Sequence, residues 1–165
     1  MRSCCALSKG VASDGISPSI ERPEGYRRRT VKFLLDTHCW LWLQTDRERF
    51  DADLLESLAA PTSRRYLSAA SVWEIVIKHA IGKLPLPEPP AIYVPERMRV
   101  SRVRELPITH AHALAVGVLP PHHRDPFDRV LVAQAQSEGL TLVTADSTFT
   151  RYDVPLIQLG DRQRR

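Results

Sequence analysis

The sequence predicts an α/β fold on a mainly parallel sheet. Three observations carry this prediction. Short apolar runs alternate with helix-length segments along the chain, the pattern of successive strand–helix units. The runs are apolar at nearly every position, as strands covered on both faces require. Helix starts are marked by Ser, Thr, Asp or Pro at the expected places. The length of 165 residues and mass of 18.7 kDa suit one domain. Hydrophobic residues at 43% and charged residues at 25% are ordinary for a globular protein, which excludes a wholly disordered chain, a collagen-like repeat and a coiled coil. No apolar run approaches the roughly 18 residues of a membrane-crossing helix, and there are no internal repeats.

Residues 1–30 are rich in Ser, Gly, Pro and Arg without hydrophobic periodicity, and read as a disordered extension. Order is expected from Val31. The run Val31 to Leu35 is a strand that stops at Asp36. A helix is expected around His38 to Gln44 and a second over Ala52 to Ala60, ended by Pro61. Tyr66 to Ala69 reads as a short strand, after which Ser71 opens a helix running to about Ile81 and stopped by Gly82. Pro85, Pro87, Pro89 and Pro90 form a stiff connector. A helix near Ala91–Val100 and a strand near Val103–Leu106 follow. Thr109 caps a helix through Val116, closed by Gly117 and Pro120–Pro121. Asp125-Pro126 opens a further helix with Pro at its first position, and Gly139 ends it. Thr141 to Thr144 and Pro155 to Leu159 are the last strands.

The formal charge of +4 and pI of about 9.2 invite a nucleic-acid reading. The charge is unevenly placed, however. The first thirty residues carry net +3 and the last five, Asp161 to Arg165, net +2, so residues 31–160 are left at −1. The three cysteines, Cys4, Cys5 and Cys39, make neither a disulfide framework nor a CxxC zinc pair. With no apolar leader behind the first arginine, the expected compartment is the cytoplasm.

In parallel sheets, sites form beyond the carboxyl ends of the strands. Asp36 follows the first strand, Glu74 lies at the start of the helix after the second, Asp146 lies just beyond the fourth, and Asp125 and Asp128 open the helix leading into it. Each acid singly can be a helix cap. Ser71-x-x-Glu74 matches a capping box, Asp125 before Pro126 is a natural N-cap, and Asp36 and Asp146 can cap the helices after them. Together they converge on one sheet edge, where like charges repel unless a cation neutralises them. Carboxylates without clustered Cys or His suit Mg²⁺ or Mn²⁺ rather than zinc. Such a centre hydrolyses phosphodiesters.

Other chemistries have little support. There is no GxGxxG, no P-loop and no GxSxG elbow. His110 and His112 are two apart and do not share a helix face, while His122 and His123 lie in a Pro-rich loop where, with Arg124, they suit a phosphate better than a metal. Trp40, Trp42 and Trp73 read as core or interface rather than base-stacking platforms. Arg129 either holds a phosphate or pairs with a neighbouring acid.

Four blocks in order, Leu34-Leu35-Asp36-Thr37-His38, Ser71-Val72-Trp73-Glu74-Ile75, Asp125-Pro126-Phe127-Asp128-Arg129 with Ala133-Gln134-Ala135, and Leu142-Val143-Thr144-Ala145-Asp146, resemble the PIN domain, and most of all the VapC toxins of bacterial toxin–antitoxin modules. The resemblance covers about Val31 to Gly160. It implies a three-layer α/β/α sandwich and Mg²⁺- or Mn²⁺-dependent endoribonuclease activity on tRNA or rRNA. It also implies an antitoxin partner lying in the acidic groove, and a homodimer. By the same resemblance Asp36, Glu74, Asp128 and Asp146 are catalytic and metal-binding. Asp128 is preferred as the third acid, with Asp125 an auxiliary ligand. Thr144 is a water- or metal-contacting hydroxyl, and Thr37, Arg124 and Arg129 are weaker substrate-positioning candidates. The family's chains begin just before the first strand, and Val can be read from GTG. Residues 1–30 are therefore expected to be a mis-assigned start, the rival being an Arg27–Arg29 arm that binds RNA. Residues 31–160 would form the nuclease domain and 161–165 a basic tail.

Two other function classes stay in view. One is a non-catalytic PIN-like module that binds RNA or an antitoxin. The other is a phosphohydrolase of the haloacid-dehalogenase type, which needs a second Asp two residues after the first; here that position is His38.

Overall fold

The computed structural model describes residues 30–160. The expectations for the N-terminal extension before residue 30 and for the 161–165 tail lie outside the described residues. Five strands, β1 (Lys32–Leu35), β2 (Arg64–Ser68), β3 (Val103–Leu106), β4 (Thr141–Thr144) and β5 (Leu156–Gln158), form one sheet in the order β3-β2-β1-β4-β5. Every pairing is parallel. The chain runs outward from β1 to β3 on one side, then returns to β4 on the other. The order therefore reverses between β1 and β4, where a parallel sheet opens a crevice at its carboxyl edge.

Six helices cover the sheet: α1 (Thr37–Thr45), α2 (Ala52–Ala59), α3 (Ala69–Ala80), α4 (Pro90–Val100), α5 (His110–Val116) and α6 (Pro126–Glu138). The two-residue alternation of a strand divides the core into two layers. Phe33 and Leu35 of β1 pack with Trp40, Leu54, Leu58, Ile75, Tyr93 and Met98 from α1 to α4. Leu34, between them, packs on the opposite face with Leu131, Val132 and Ala135 of α6. This is the expected α/β/α sandwich. Leu34, Leu35, Leu142 and Val143 are sealed from solvent, each contributing about 1.5–3 kcal/mol of apolar burial.

Most boundaries follow the local chemistry. Thr109 accepts the His112 amide at 3.2 Å while its own amide donates to His112 Nδ1 at 3.2 Å, so a histidine fills the usual Glu place in a capping box. Asp125 caps α6, Pro126 is its first residue, and Gly139 ends it in the left-handed region at φ 61°. Two boundaries differ from expectation. Strand β2 begins at Arg64, earlier than the apolar pattern suggests, because its amino end lies at the sheet edge where long cationic side chains reach water. Helix α3 begins at Ala69, with Ser68 Oγ accepting the Ala70 amide at 3.0 Å. The expected capping box from Ser71 to Glu74 is therefore not formed: strand passes directly into helix, and both residues lie inside α3.

Candidate active site

Asp36 stands where β1 ends and α1 begins, and its amide donates to Val143 O of β4 at 3.0 Å. It occupies the N-cap position without capping anything with its side chain. Its carboxylate is buried, and Thr144 donates to Oδ2 at 2.9 Å. The same Thr144 oxygen accepts the Asp146 amide at 3.1 Å, so one hydroxyl fixes the strand end that carries Asp146 to the carboxylate of Asp36. Burial pushes the Asp36 carboxyl up. The Thr144 hydrogen bond and His38 oppose this, and the charge on Glu74 adds to it.

The other acids arrive from three separate helix starts. Glu74, in the second turn of α3, is buried against the same region and pairs with Lys78 at 2.6 Å, one helical turn on. Asp128 projects from the first turn of α6. Burial, then the charges of Asp125, Asp36, Glu74 and Asp146, push its carboxyl up to about 7. Asp146 is half-exposed and caps the 3₁₀ turn Ser147–Arg151, accepting the Thr148 amide at 2.7 Å. Burial works to raise it, but the hydrogen bonds from Thr148 and the nearby His123 hold it below the usual carboxylate range.

The capping explanation therefore divides among the acids. It accounts for Asp125, whose Oδ1 accepts the Phe127 amide at 2.8 Å, and for one oxygen of Asp146. It does not account for Asp36, Glu74 or Asp128. Among the described residues, the tightest potential cation site comprises His123, Asp128 and Asp146, one ligand atom from each lying within 4.8 Å of the others. Asp36 and Glu74 border it electrostatically, as their effect on Asp128 shows. Asp125 acts on Asp128 by its charge while its side chain caps the helix.

The weaker candidates are distributed differently. Thr37 is buried beside Asp36, and its hydroxyl has no hydrogen-bond partner among the described residues. Arg124 is exposed in the loop before α6. The Arg129 guanidinium donates to the carbonyls of Pro120, Val116 and Leu119 at 2.8, 2.8 and 3.0 Å, so it binds a loop rather than a phosphate or an acid. Trp40 is core as expected, whereas Trp73 is 59% exposed and meets Phe127 edge-on at 5.2 Å on the rim of the site.

Two participants are not among the expected site residues. His123 reads there as part of a phosphate-facing loop, yet it lies buried between Asp128 and Asp146. Its only sequence signal is its place two residues before Asp125. Lys78 is legible as the i+4 partner of Glu74 on one helix face.

An all-parallel α/β/α sandwich with carboxylates gathered at its strand-order reversal defines a class, the α/β proteins with an acid-lined site at the switch point. The PIN domain family matches residues 33–155, and the chain belongs to that family. Over 46 residues, 28% of the chain, it is 59% identical to Ribonuclease VapC16 of Mycobacterium tuberculosis. That stretch spans 33% of the relative's length. Among solved structures, it resembles VapBC2 from Rickettsia felis, bound to a DNA fragment from its promoter, with TM-score 0.59 and 16% identity over 79% of this chain and 100% of that one. It also resembles DNA-bound VapBC from Salmonella typhimurium, with TM-score 0.58 and 20% identity over 79% and 99%. At these identities the likeness is one of fold.

Proposed function

We propose that this chain is a metal-dependent endoribonuclease, the toxin of a toxin–antitoxin pair, hydrolysing RNA phosphodiester bonds with Mg²⁺ or Mn²⁺ in the cytoplasm. One observation carries the reading: Asp36, Glu74, Asp128 and Asp146, from four separate elements, gather at one edge, where burial first, then the charges of Asp125 and the other three acids, push Asp128 up to about 7. Lys78 offsets Glu74, but the buried Asp36 and the half-buried Asp128 have no Lys or Arg partner among the described residues; such acids are costly, and a hard divalent cation is the ordinary partner of an oxygen donor set. The orphaned Nε2 of His123, facing the same space, fits a cation there. Bound at these residues, a divalent cation supplies Lewis-acid activation of water and offsets charge on the scissile phosphate. Asp36, fixed by Thr144, and Asp146, fixed by Thr148, provide oriented oxygens. Asp128 exchanges a proton close to neutral pH and gives it up when cationic charge replaces it. Arg124, exposed in the loop before α6, would meet the RNA backbone, and Thr37, buried beside Asp36, would help to position substrate.

The similar proteins, a ribonuclease and VapBC complexes, support the same reading. The antitoxin is proposed to lie in the acidic groove, and an apolar groove of about 530 Å³ beside α3, lined by Val72, Trp73, Val76, Val94, Pro95 and Met98, adds surface suited to a protein partner. A homodimer and a tRNA or rRNA substrate complete the proposal. No helix among the described residues is long and apolar enough to cross a membrane. The test is cleavage of total RNA by the purified chain with Mg²⁺ or Mn²⁺ and with EDTA, followed by mapping of the ends. Metal-dependent cuts that vanish in Asp36→Ala support the nuclease. RNA binding without metal-dependent cuts favours the non-catalytic binding module.

A further inference from the structure

The donor set at this site is not all oxygen. His123 is only 9% exposed, and its ring lies between two carboxylates from different elements, Nδ1 3.3 Å from Asp128 Oδ2 and Nε2 3.9 Å from Asp146 Oδ2. Nε2 is sealed from solvent and has no hydrogen-bond partner among the described residues. Buried polar atoms are almost always satisfied, so an orphan facing a carboxylate calls for an occupant. The ring cannot swing away to find one. It packs on Phe149 at 4.6 Å and stacks on Tyr152 at 6.0 Å with an 8° interplanar angle, and its backbone amide donates to the Tyr152 hydroxyl at 2.9 Å. With Nδ1 turned to Asp128, Nε2 is the nitrogen that faces the space shared with Asp146. A histidine that offers one nitrogen to a metal and turns the other towards a carboxylate is the usual arrangement of an imidazole ligand.

We propose that His123 is a direct nitrogen ligand of the divalent cation through Nε2, beside Asp128 and Asp146, and that this makes the centre favour Mn²⁺ over Mg²⁺. The inference rests on the reading that the carboxylates hold a cation. Mg²⁺ is hard and takes oxygen donors with several retained waters. Imidazole suits first-row transition ions, so one buried nitrogen among carboxylates shifts the preference towards them. The acids alone, read without His123, leave the two ions undivided.

The test uses the full chain with Mn²⁺ or Mg²⁺ as the only additions and no RNA. Pulsed electron paramagnetic resonance of the bound Mn²⁺ reads ¹⁴N coupling from a coordinated imidazole, and calorimetric titration reads both affinities. His123→Phe keeps the ring packing and removes the nitrogen. The wild-type chain is expected to show ¹⁴N coupling that His123→Phe lacks. The variant should weaken Mn²⁺ about 10-fold or more, while Mg²⁺ changes far less. The retained Mg²⁺ affinity reports that the variant is folded, and a wild-type spectrum without ¹⁴N coupling overturns the inference whether or not the variant folds. Bound Mn²⁺ with no ¹⁴N coupling overturns the inference and leaves the carboxylate site standing. Coupling that persists in His123→Phe overturns it too, since one of the other five histidines must then supply the nitrogen. If neither ion binds the wild-type chain, the metal-dependent reading falls and the inference with it.

Discussion

The two ends of the sheet carry opposite charge and handle it differently. At the carboxyl edge, Asp36, Glu74, Asp128 and Asp146 converge from strand ends and helix starts. At the amino edge, Arg64 and Arg65 of β2 meet Arg102 and Arg104 around β3, in a cleft of about 190 Å³ lined also by Ala59, Ala60 and Pro61 at the end of α2. Parallel strand–helix units explain both signs at once. Helix N-termini, which favour anions, collect at the carboxyl edge, and helix C-termini, which favour cations, collect at the amino edge. Side-chain length then separates the two clusters. Short carboxylates are drawn into the protein and raise one another's affinity for protons, as at Asp128. Long arginines carry most of their charge outward; Arg65, whose buried Nε has no hydrogen-bond partner among the described residues, is the partial exception, lowered by burial and then by Arg102. No ion pair among the described residues joins any of the four arginines. Charge that is exposed can stay unpaired; buried charge of one sign calls for a counterion.

The acidic edge is most sensitive at Asp36. Asp36→Ala should reduce RNA cleavage beyond about 100-fold, since even residues that merely support a metal ligand cost 10–100-fold, while circular dichroism stays native. Cleavage at the wild-type rate would show that the acidic edge is not where the chemistry occurs. Thr144→Val keeps the shape but strips the hydrogen bond from Asp36 and the acceptor from the Asp146 amide. A loss of about 10–100-fold in metal affinity is expected, measured by calorimetry.

The pH dependence of stability follows from Asp128. Its carboxyl is raised to about 7 in the fold from an ordinary 3.8, so the folded chain binds more protons than the unfolded one between these values. Its contribution therefore makes the metal-free protein less stable as pH rises from about 4 to about 7, and level above that. Asp128→Asn should raise the melting temperature at pH 8 by an amount equivalent to about 1–4 kcal/mol and leave it nearly unchanged at pH 4. Equal shifts at both pH values in thermal scans would contradict the charge argument. The smallest effect belongs to the opposite edge. Arg65→Met replaces a partly buried cation by an apolar chain of similar length, so stability should change by less than about 1 kcal/mol, with cleavage unaltered. A large loss of cleavage would show that the arginine cleft takes part in the reaction.

Much of this arrangement is legible in the residues, for reasons that differ from place to place. Asp125-Pro126 and Gly139 bound α6 because proline at the first turn and glycine after the last are local backbone chemistry. The run from Phe33 to Leu35 announces a strand covered on both sides, and its termination at Asp36 marks the edge where the acids gather. Ser71 misleads because a capping box is only a spacing. Where Ser68 ends a strand and caps the next helix without a loop, the spacing three residues later means nothing. His123 and Arg129 escape local pattern because their partners lie far off in sequence: Asp146 and Tyr152 for the first, the carbonyls at and after the end of α5 for the second. Local pattern reports the secondary structure of a residue, but long-range contacts decide what its side chain is for.

The three carbonyls held by Arg129 belong to the end of α5 and the turn beyond it, and Arg129 itself follows Asp128 on α6. The loop that delivers His123 is thus fastened at its start by the same helical turn that presents Asp128. Its conformational entropy is surrendered when the chain folds, not when something binds, so the geometry around Asp128 is in place beforehand. The planar guanidinium fork suits this task, since it reaches several oxygens at once where a lysine would reach fewer. Rigidity at the mouth of this cleft is therefore a property of the folded chain itself, set by a residue that never needs to touch what the cleft receives.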